Sequence, residues 1–132
     1  MSTAIQARRT AITSPELTPP VGPFSQATEA GGFIYFSGQV GQDPTTGKLV
    51  AGGFAAETER VFRNLSAVLE AAGRSFDDVV RAGVYLANMN DFVAMNGIYA
   101  KHFSQPFPAR TTIAVAALPL GACVEIDLVV KA

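Results

Sequence analysis

The sequence predicts a single α+β domain in which two helices cover one face of a mixed β-sheet. Two segments repeat apolar residues at helical spacing, and the other apolar segments are short and bounded by glycine and proline turns. After a possible short strand at the start, their order is strand, strand, helix, strand, helix, strand, strand. A chain of 132 residues has the size of one domain that buries about two-thirds of its surface without help from disulfides or metal. We therefore expect one domain over residues 1–132.

The first elements are a short strand, an extended segment and a hairpin. Gln6 to Ile12 has the composition of a short strand. The segment after it contains four prolines, which are Pro15, Pro19, Pro20 and Pro23. Ser25 to Ala30 and Phe33 to Gly38 form the predicted hairpin, because the Gly31-Gly32 connection supplies the positive φ angles of a tight turn.

The first helix is predicted from Phe54 to Ala72, after a turn at Asp43–Gly47. Its apolar face at helical spacing consists of Val61, Phe62, Leu65, Leu69 and Ala72. Gly73 follows as the C′ residue that ends the helix. A strand from Val79 to Leu86 comes next.

The second helix is predicted from Asp91 to Phe103, with Asn90 as its N-cap. Its inward-facing residues are Phe92, Met95, Tyr99 and Phe103. Asn96 lies on the same face, four residues after Phe92, and a buried amide must find hydrogen-bond partners. A site or a subunit interface would supply them, or the amide simply holds the helix against a backbone group.

The last two strands, Thr111 to Ala117 and Cys123 to Val130, are predicted to pair as an antiparallel hairpin around Pro119. In that pairing, Arg110 and Glu125 lie four or five positions apart, roughly 13 to 17 Å. We therefore expect that they do not meet within one protomer. If they share a site, it forms where the sheet of one subunit meets a neighbour.

Composition predicts an oligomer. Hydrophobic residues make up 48% of the chain and charged residues 16%, against roughly 25% charged in an average soluble domain. Two helices cover only one face of the sheet, so the other face must pack against something.

A membrane span is not expected, since the longest uncharged stretch, Thr111 to Val124, is short and contains proline and glycine. No apolar run follows Arg8 and Arg9, so we expect no secretory signal and a cytoplasmic protein.

The chemistry-bearing residues exclude several classes of function. The net charge is −1 and the basic residues are scattered, which does not suit a nucleic-acid binder. One cysteine and one histidine leave no partners for a nucleophile triad or a histidine metal site. Cys123 is interpreted as a small buried hydrophobe rather than a lone nucleophile, and His102 as a cap of carbonyls near a helix end.

Arg110 and Glu125 are the best candidates for site residues. Arg110 is the only basic residue that opens an apolar run, where a partly desolvated guanidinium suits a bidentate grip on a carboxylate. Glu125 lies in the predicted strand Cys123 to Val130, directly after the uncharged stretch that ends at Val124. The alternative for the arginine is a strand-end side chain that reaches solvent or pairs with an acid across an interface.

A set of segments across nearly the whole chain resembles the Rid (YjgF) family of reactive-intermediate deaminases, which also carries the name endoribonuclease L-PSP. The segments are Val21 to Ala27, Phe36 to Gln39, Leu69 to Gly73, Asn90 to Phe92 with Asn96 and Tyr99, Phe107 to Arg110, Leu118-Pro119, and Val124 to Ile126. The resemblance implies a chorismate-mutase-like fold and a homotrimer whose sheets pack into a central barrel. It also implies three sites between subunits.

The resemblance further implies an imine and enamine deaminase that hydrolyses 2-imino acids to 2-keto acids and ammonia, without metal or organic cofactor. Arg110 would bind the substrate carboxylate, with the backbone N–H of Thr112 as a second donor, and Glu125 would orient the attacking water. Ser37, Phe24 and Asn96 fall at positions that line the family's pocket.

Two residues depart from the family pattern. Phe24 stands where the best-known members have tyrosine, so a hydroxyl that helps to hold the water is missing. Thr112 stands where they often have cysteine.

Three other functions stay open: a deaminase or hydrolase of another small acid such as aminoacrylate or aminomuconate, a keto-acid binding protein without turnover, and the ribonuclease or translation-inhibitor role of some relatives. The last is disfavoured by the lack of a basic stripe.

Overall fold

The computed structural model describes residues 8–132, which form one six-stranded sheet and two α-helices. In chain order the elements are β1 (Thr10–Ile12), β2 (Ala27–Ala30), β3 (Phe33–Gln39), α1 (Phe54–Ala71), β4 (Val79–Leu86), α2 (Phe92–Tyr99), β5 (Ala109–Ala114) and β6 (Val124–Lys131). Single 3₁₀ turns precede β4, α2 and β6, at Phe76–Asp78, Met89–Asp91 and Pro119–Gly121. The α+β class is confirmed. Of the strand expected from Gln6 to Ile12, residues 6 and 7 lie outside the described part, and β1 covers its end.

The sheet is mixed, and β6 lies in its interior. The strand order is β1-β2-β3-β6-β4-β5, with β4 and β5 parallel and the other pairs antiparallel. The hairpin β2–β3 is confirmed, with Ala30 paired to Phe33 around the two glycines. The turn at Asp43–Gly47 is confirmed as well, since the Gly47 N–H donates to the Asp43 carbonyl at 2.8 Å.

The predicted hairpin of the last two strands is wrong. β5 pairs with β4 along the edge of the sheet, and β4 separates it from β6. Two apolar strands joined by a proline turn carry the same pattern whether they pair directly or flank a third strand, because periodicity describes the faces of a strand and not its neighbours. The segment 115–123 crosses the end of β4 instead of folding back beside β5.

Helix α1 forms and ends for the reasons that its sequence indicates. Its inward face is fully buried and consists of Thr58, Val61, Phe62, Asn64, Leu65, Val68 and Leu69. Gly73 has φ 69°, and the N–H of Arg74 donates to the carbonyl of Leu69 at 2.9 Å. This is the Schellman arrangement, which satisfies carbonyls left without partners at a helix end.

Helix α2 is shorter than predicted, and Asn90 is not its N-cap. The side chain of Asn88 accepts the N–H of Asn90 at 2.8 Å, which caps the preceding 3₁₀ turn instead. Asp91 then occupies the N-cap position, and the helix ends at Tyr99. The N–H of His102 bonds to the carbonyl of Tyr99, an i to i+3 contact that tightens the last turn. Phe103 is buried as expected, although it lies beyond the helix.

Both helices pack on one face of the sheet, and the opposite face is uncovered within the chain. In β6 the residues Val124, Ile126, Leu128 and Val130 are buried beneath the helices. Glu125 and Asp127 alternate with them and face the other way. On that open face Tyr35 is 49% exposed and Ile113 is 44% exposed. Within residues 8–132 no helix is long and apolar enough to cross a membrane.

Candidate functional site

Arg110 is held on the helix side of the sheet by one amide and two aromatic rings. It lies near the start of the edge strand β5, opposite Ala82 of β4. Its Nη2 donates to Oδ1 of Asn96 at 2.7 Å. The guanidinium carbon lies 4.7 Å from the ring centre of Tyr99 and 5.7 Å from that of Phe92. The side chain is therefore fixed before any ligand arrives, because three groups of α2 contact it.

A cavity of about 320 Å³ opens beside this guanidinium. It is lined by Asn96, Tyr99, Ala100, Phe107, Pro108 and Arg110. The Tyr99 hydroxyl is buried and finds no hydrogen-bond partner among the described residues. Burial raises the pKa of Tyr99, an effect that Arg110 opposes, so the hydroxyl stays protonated at neutral pH. The cavity thus presents a fixed cation, which suits a small carboxylate.

Thr112 lies two residues after Arg110 on the same face of β5, opposite Val84. Its hydroxyl is buried and has no partner within residues 8–132. β5 is an edge strand, so alternate backbone N–H groups point away from the sheet and can bind a ligand.

Glu125 lies on the open face of β6, close to the backbone of β3. Gly38 packs against it so tightly that a Cβ at position 38 would lie 2.8 Å from the Glu125 carboxyl carbon. Burial, and secondarily the charge of Asp127, raise the pKa of Glu125. A carboxylate of this kind is a stronger base than an exposed one.

The second cavity, of about 250 Å³, has Glu125 in its wall. Most of the wall is apolar and includes Leu17, Pro19, Val21, Phe24, Pro119 and Leu120. Phe24 is 55% exposed and brings no hydroxyl close to Glu125. Phe24 also lines an open depression together with Ser37, whose hydroxyl donates to the carbonyl of Ser25 at 2.6 Å.

The six site residues predicted from the sequence fall into two groups. The first group lies on the helix side at the β5 edge and consists of Arg110, Thr112 and Asn96. The second group lies at the other side of the sheet, where Phe24 lines one cavity with Glu125 and a second depression with Ser37. Arg110 and Leu128 both pair with Ala82 of β4, so they lie level with each other, two strand spacings apart. Leu128 is three residues from Glu125 along β6. The Cα atoms of Arg110 and Glu125 are therefore about 14 Å apart. The predicted separation within one protomer is confirmed, although the strand pairing behind it was wrong.

The contacts of Cys123 and His102 indicate a structural role for each side chain. Burial, together with a hydrogen bond and the charge of Glu57, raises the pKa of the Cys123 thiol to about 12, so it is no thiolate at neutral pH. The His102 ring stacks on Phe62 at 4.1 Å between centroids, and its Nε2 lies 3.4 Å from Glu59. The prediction that this side chain caps carbonyls is wrong, because the ring turns onto the apolar face of α1. No group of three metal-binding side chains occurs within residues 8–132.

Sequence reasoning missed the residues that hold the two charged side chains. Tyr99 and Phe92 were placed in the core, although they also form the aromatic contacts of Arg110. The sequence shows that they share one helix face with Asn96, but it does not show that β5 brings Arg110 to that face. Gly38 was noted as part of a motif, and its role as the space for Glu125 follows only from the three-dimensional contact.

Comparison with known proteins places the chain in a family. The profile described as Endoribonuclease L-PSP matches residues 15–132. The human protein named 2-iminobutanoate/2-iminopropanoate deaminase is 47% identical over 109 residues, which cover 83% of this chain and 80% of that protein. Its namesake from Dermatophagoides farinae is 42% identical over 119 residues, which cover 90% of this chain and 93% of the relative. The crystal structure of RidA from an Antarctic Psychrobacter species has a TM-score of 0.88 at 41% identity, covering 93% of this chain and 99% of that one. The chain therefore belongs to the endoribonuclease L-PSP family, also called the YjgF or Rid family.

Proposed function

We propose that this protein is an enzyme that hydrolyses reactive 2-imino acids and their enamine tautomers to 2-keto acids and ammonia. The observation that carries the proposal is the fixed guanidinium of Arg110, which lies beside an open cavity. The names of the relatives at 42% and 47% identity support the same reaction.

Arg110 binds the substrate carboxylate in this proposal. Its Nη2 is engaged by Asn96, which leaves other N–H groups of the guanidinium for a bidentate contact with the ligand. The backbone N–H of Thr112 is the second donor. Because Tyr99 and Phe92 hold the guanidinium in place, little side-chain entropy is lost on binding.

Glu125 is the general base. It accepts a proton from the water that attacks the carbon of the protonated imine and passes that proton to the nitrogen. As the C–N bond breaks and the C=O bond forms, Glu125 takes the hydroxyl proton and passes it to the departing ammonia. The products are a keto acid and ammonium, so atoms and charge balance. A protonated imine is already electrophilic, and positioning with one base is sufficient for the step.

The two halves of this site come together between subunits. Arg110 and Glu125 face opposite sides of one sheet, so the Arg110 of one protomer must meet the Glu125 of another for both to act on one substrate. We propose a homotrimer in which the open faces of three sheets form a barrel. The exposed apolar residues on that face support this arrangement, since a large uncovered apolar surface marks an interface.

The first experiment measures decay of 2-iminobutanoate, generated in situ by a threonine dehydratase. The protein should accelerate release of ammonia and keto acid, and Arg110→Ala should lose about 3 kcal/mol of transition-state binding, about 100-fold in kcat/KM, as expected for two charge-assisted hydrogen bonds. Arg63→Ala, which removes an exposed arginine of α1, is the matched control and should be fully active.

Unchanged imine decay with the wild-type protein would reject deamination of this substrate. Phe24 favours one second candidate in that case, a keto-acid binding protein without turnover, because the pocket wall near Glu125 lacks a hydroxyl there. Calorimetric binding of 2-oxobutanoate that depends on Arg110 would then support the binding function.

A further inference from the structure

Two carboxylates share the open face of β6, and the proposed mechanism uses only one. Glu125 and Asp127 are two residues apart on the same strand, so their Cα atoms are about 6.6 Å apart and both side chains leave the same face. Like charges this close disfavour each other's ionisation. Asp127 is thus placed to influence Glu125 without touching the substrate.

Tyr85 of β4 connects the two carboxylates. It is the direct cross-strand partner of Glu125, while its neighbour Gly83 is the partner of Asp127. The Tyr85 side chain leans along its own strand, and its hydroxyl donates to Oδ2 of Asp127 at 3.0 Å. Burial and the bond to Asp127 raise the pKa of Tyr85, so the phenol remains a donor. A donor to a carboxylate favours its ionised form.

A glycine opposite each carboxylate leaves room for this arrangement. A Cβ at position 83 would lie 2.9 Å from the Tyr85 hydroxyl and 3.2 Å from the carboxyl carbon of Asp127. Gly38 gives Glu125 the same kind of space from the side of β3. Both close approaches lie on the face of the sheet away from the helices, where Asp127 has no part in the hydrophobic core.

The other groups packed around Glu125 bring few charges. The adjoining residues of β3, Ser37 to Gln39, are uncharged. The neighbouring cavity is also lined by the N-terminal segment, by α1 and by the turn before β6. Glu125 is the one ionisable side chain in that lining. β4 contributes Tyr85 and Arg81, and Arg81 donates to the Thr111 hydroxyl at 3.0 Å, further along the strand. Within one protomer, Asp127 is accordingly the charge that contributes most to the environment of Glu125.

We propose that Asp127, held in place by the Tyr85 hydroxyl on the same face of β6, is a positioning residue whose charge acts on Glu125. A charged Asp127 makes Glu125 a stronger base, which helps it to take a proton from water. The coupling is a property of the protein without substrate. Only its use in catalysis rests on the proposed function.

The test compares Asp127→Asn with the wild-type protein in the absence of substrate. The Glu125 carboxyl is followed by ¹³C NMR in protein labelled at glutamate side chains, and Glu125→Gln assigns the signal. We expect the titration midpoint of Glu125 to fall in Asp127→Asn and to return toward the wild-type value in Asp127→Glu. Tyr85→Phe should give a midpoint between those of the wild type and Asp127→Asn, because Asp127 is then less firmly placed.

Glu29→Gln is the matched control, since it removes the same charge from an exposed position on β2 and should leave the midpoint unchanged. An unchanged midpoint in Asp127→Asn, or an equal fall in Glu29→Gln, overturns the inference. A midpoint in Tyr85→Phe outside the stated interval contradicts the role of the hydroxyl. Each variant is compared by near-ultraviolet circular dichroism, so that only folded protein enters the comparison.

A kinetic measurement separates this inference from the proposed function. In an active deaminase, the acidic limb of the pH profile of kcat/KM should move down in Asp127→Asn together with the NMR midpoint. If the midpoint moves and the wild type shows no deamination, the coupling holds and the proposed function fails. If the enzyme is active and the midpoint is unchanged, the function holds and the coupling is rejected.

Discussion

At the scale of single residues, Glu125 shows a conflict between stability and reactivity. Its carboxyl is partly buried beside the Gly38 backbone and near the charge of Asp127, and both effects penalise the ionised form. A protein that needed only stability would not keep an acid there. The arrangement is typical of functional groups, where a raised pKa in a cleft accompanies proton transfer.

Replacing Glu125 by glutamine should therefore stabilise the protein at neutral pH. The pKa of Glu125 is raised in the folded state above its ordinary value of 4.5. The folded protein thus loses stability as pH rises from about 4.5 through the raised pKa, and the full penalty applies above it. Urea unfolding at one fixed protein concentration should show a higher free energy of unfolding for Glu125→Gln than for wild type at pH 7, and no difference at pH 3.5.

The exposed Glu29→Gln variant provides the control for this comparison and should match the wild type at both pH values. A Glu125→Gln protein that is less stable than the wild type at pH 7 would show that the carboxylate makes a stabilising contact in the assembled protein.

Tyr99 allows the contribution of the aromatic contact with Arg110 to be measured. Tyr99→Phe keeps the ring 4.7 Å from the guanidinium and removes only an unpartnered hydroxyl, so the Kd of 2-oxobutanoate should change by less than about twofold. Tyr99→Leu should weaken binding about fivefold, since a cation–π contact contributes about 1 kcal/mol. Isothermal titration calorimetry checks both values.

Phe103→Leu is the control for the loss of core packing in Tyr99→Leu. Phe103 packs against Tyr99 with ring centroids 4.4 Å apart and lies in the same buried cluster. The Phe103→Leu variant should lower the melting temperature about as much as Tyr99→Leu does and leave the Kd of 2-oxobutanoate unchanged. Equal loss of binding in both leucine variants would assign the effect to packing.

At the scale of elements, the local patterns were informative where the physics is local. Helix α1 was predicted to within one residue, because its apolar face and its terminal glycine act within a few turns of chain. β4 was predicted with its observed bounds, and the β2–β3 hairpin follows from its two-glycine turn. The end of α2 was wrong, because the chain leaves the helix after Tyr99 while Phe103 still packs into the core.

The close approach of β3 to β6 gives a prediction about one glycine. Gly38→Ala places a Cβ against the Glu125 carboxylate, so the carboxylate must move or the strands must separate, at a cost of about 1–3 kcal/mol. We expect a lower free energy of unfolding and a kcat/KM about 100-fold lower, since a displacement of about 1 Å is enough for such a loss. Urea unfolding and imine decay measure the two effects.

Gly97→Ala is the same substitution at a site without a close neighbour. A Cβ at position 97 of α2 meets nothing within 4 Å, and alanine is favoured over glycine in a helix by about 0.5–1 kcal/mol. This variant should be more stable than the wild type and equally active. Full activity in Gly38→Ala would contradict the proposed placement of Glu125.

At the scale of the whole molecule, the proposed site depends on assembly. One protomer presents Arg110 on the helix side of its sheet and Glu125 on the open face, about 14 Å apart in the backbone. If the active site forms between subunits, two inactive variants can complement each other. Mixed oligomers of Arg110→Ala and Glu125→Gln contain interfaces in which both native residues meet.

Trimers that contain both variants should regain about one third of the wild-type activity, because one of their three interfaces joins a native arginine to a native glutamate. The two variants are co-expressed with different tags, purified through both, and assayed for imine decay, and native mass spectrometry confirms subunit composition. Mixed trimers without activity would contradict a site shared between subunits. A mass other than three chains would reject the trimer.

The sequence by itself determined the α+β class and most element positions, and it indicated the two residues that carry the proposed chemistry. Its alternation also separated Glu125 from the buried face of β6, because side-chain direction in a strand follows from a period of two. The interpretation of Cys123 as a small hydrophobe rather than a nucleophile agrees with the raised pKa of its thiol.

Only the tertiary structure decided which strands are neighbours and which side chains meet. It placed β4 between β5 and β6, set Tyr99 and Phe92 around Arg110, and brought Tyr85 to Asp127 and Gly38 to Glu125. These contacts join residues far apart in the chain, and their free energy depends on how whole surfaces pack. A periodic pattern identifies the face that a residue occupies, whereas its partner is chosen by the fold as a whole.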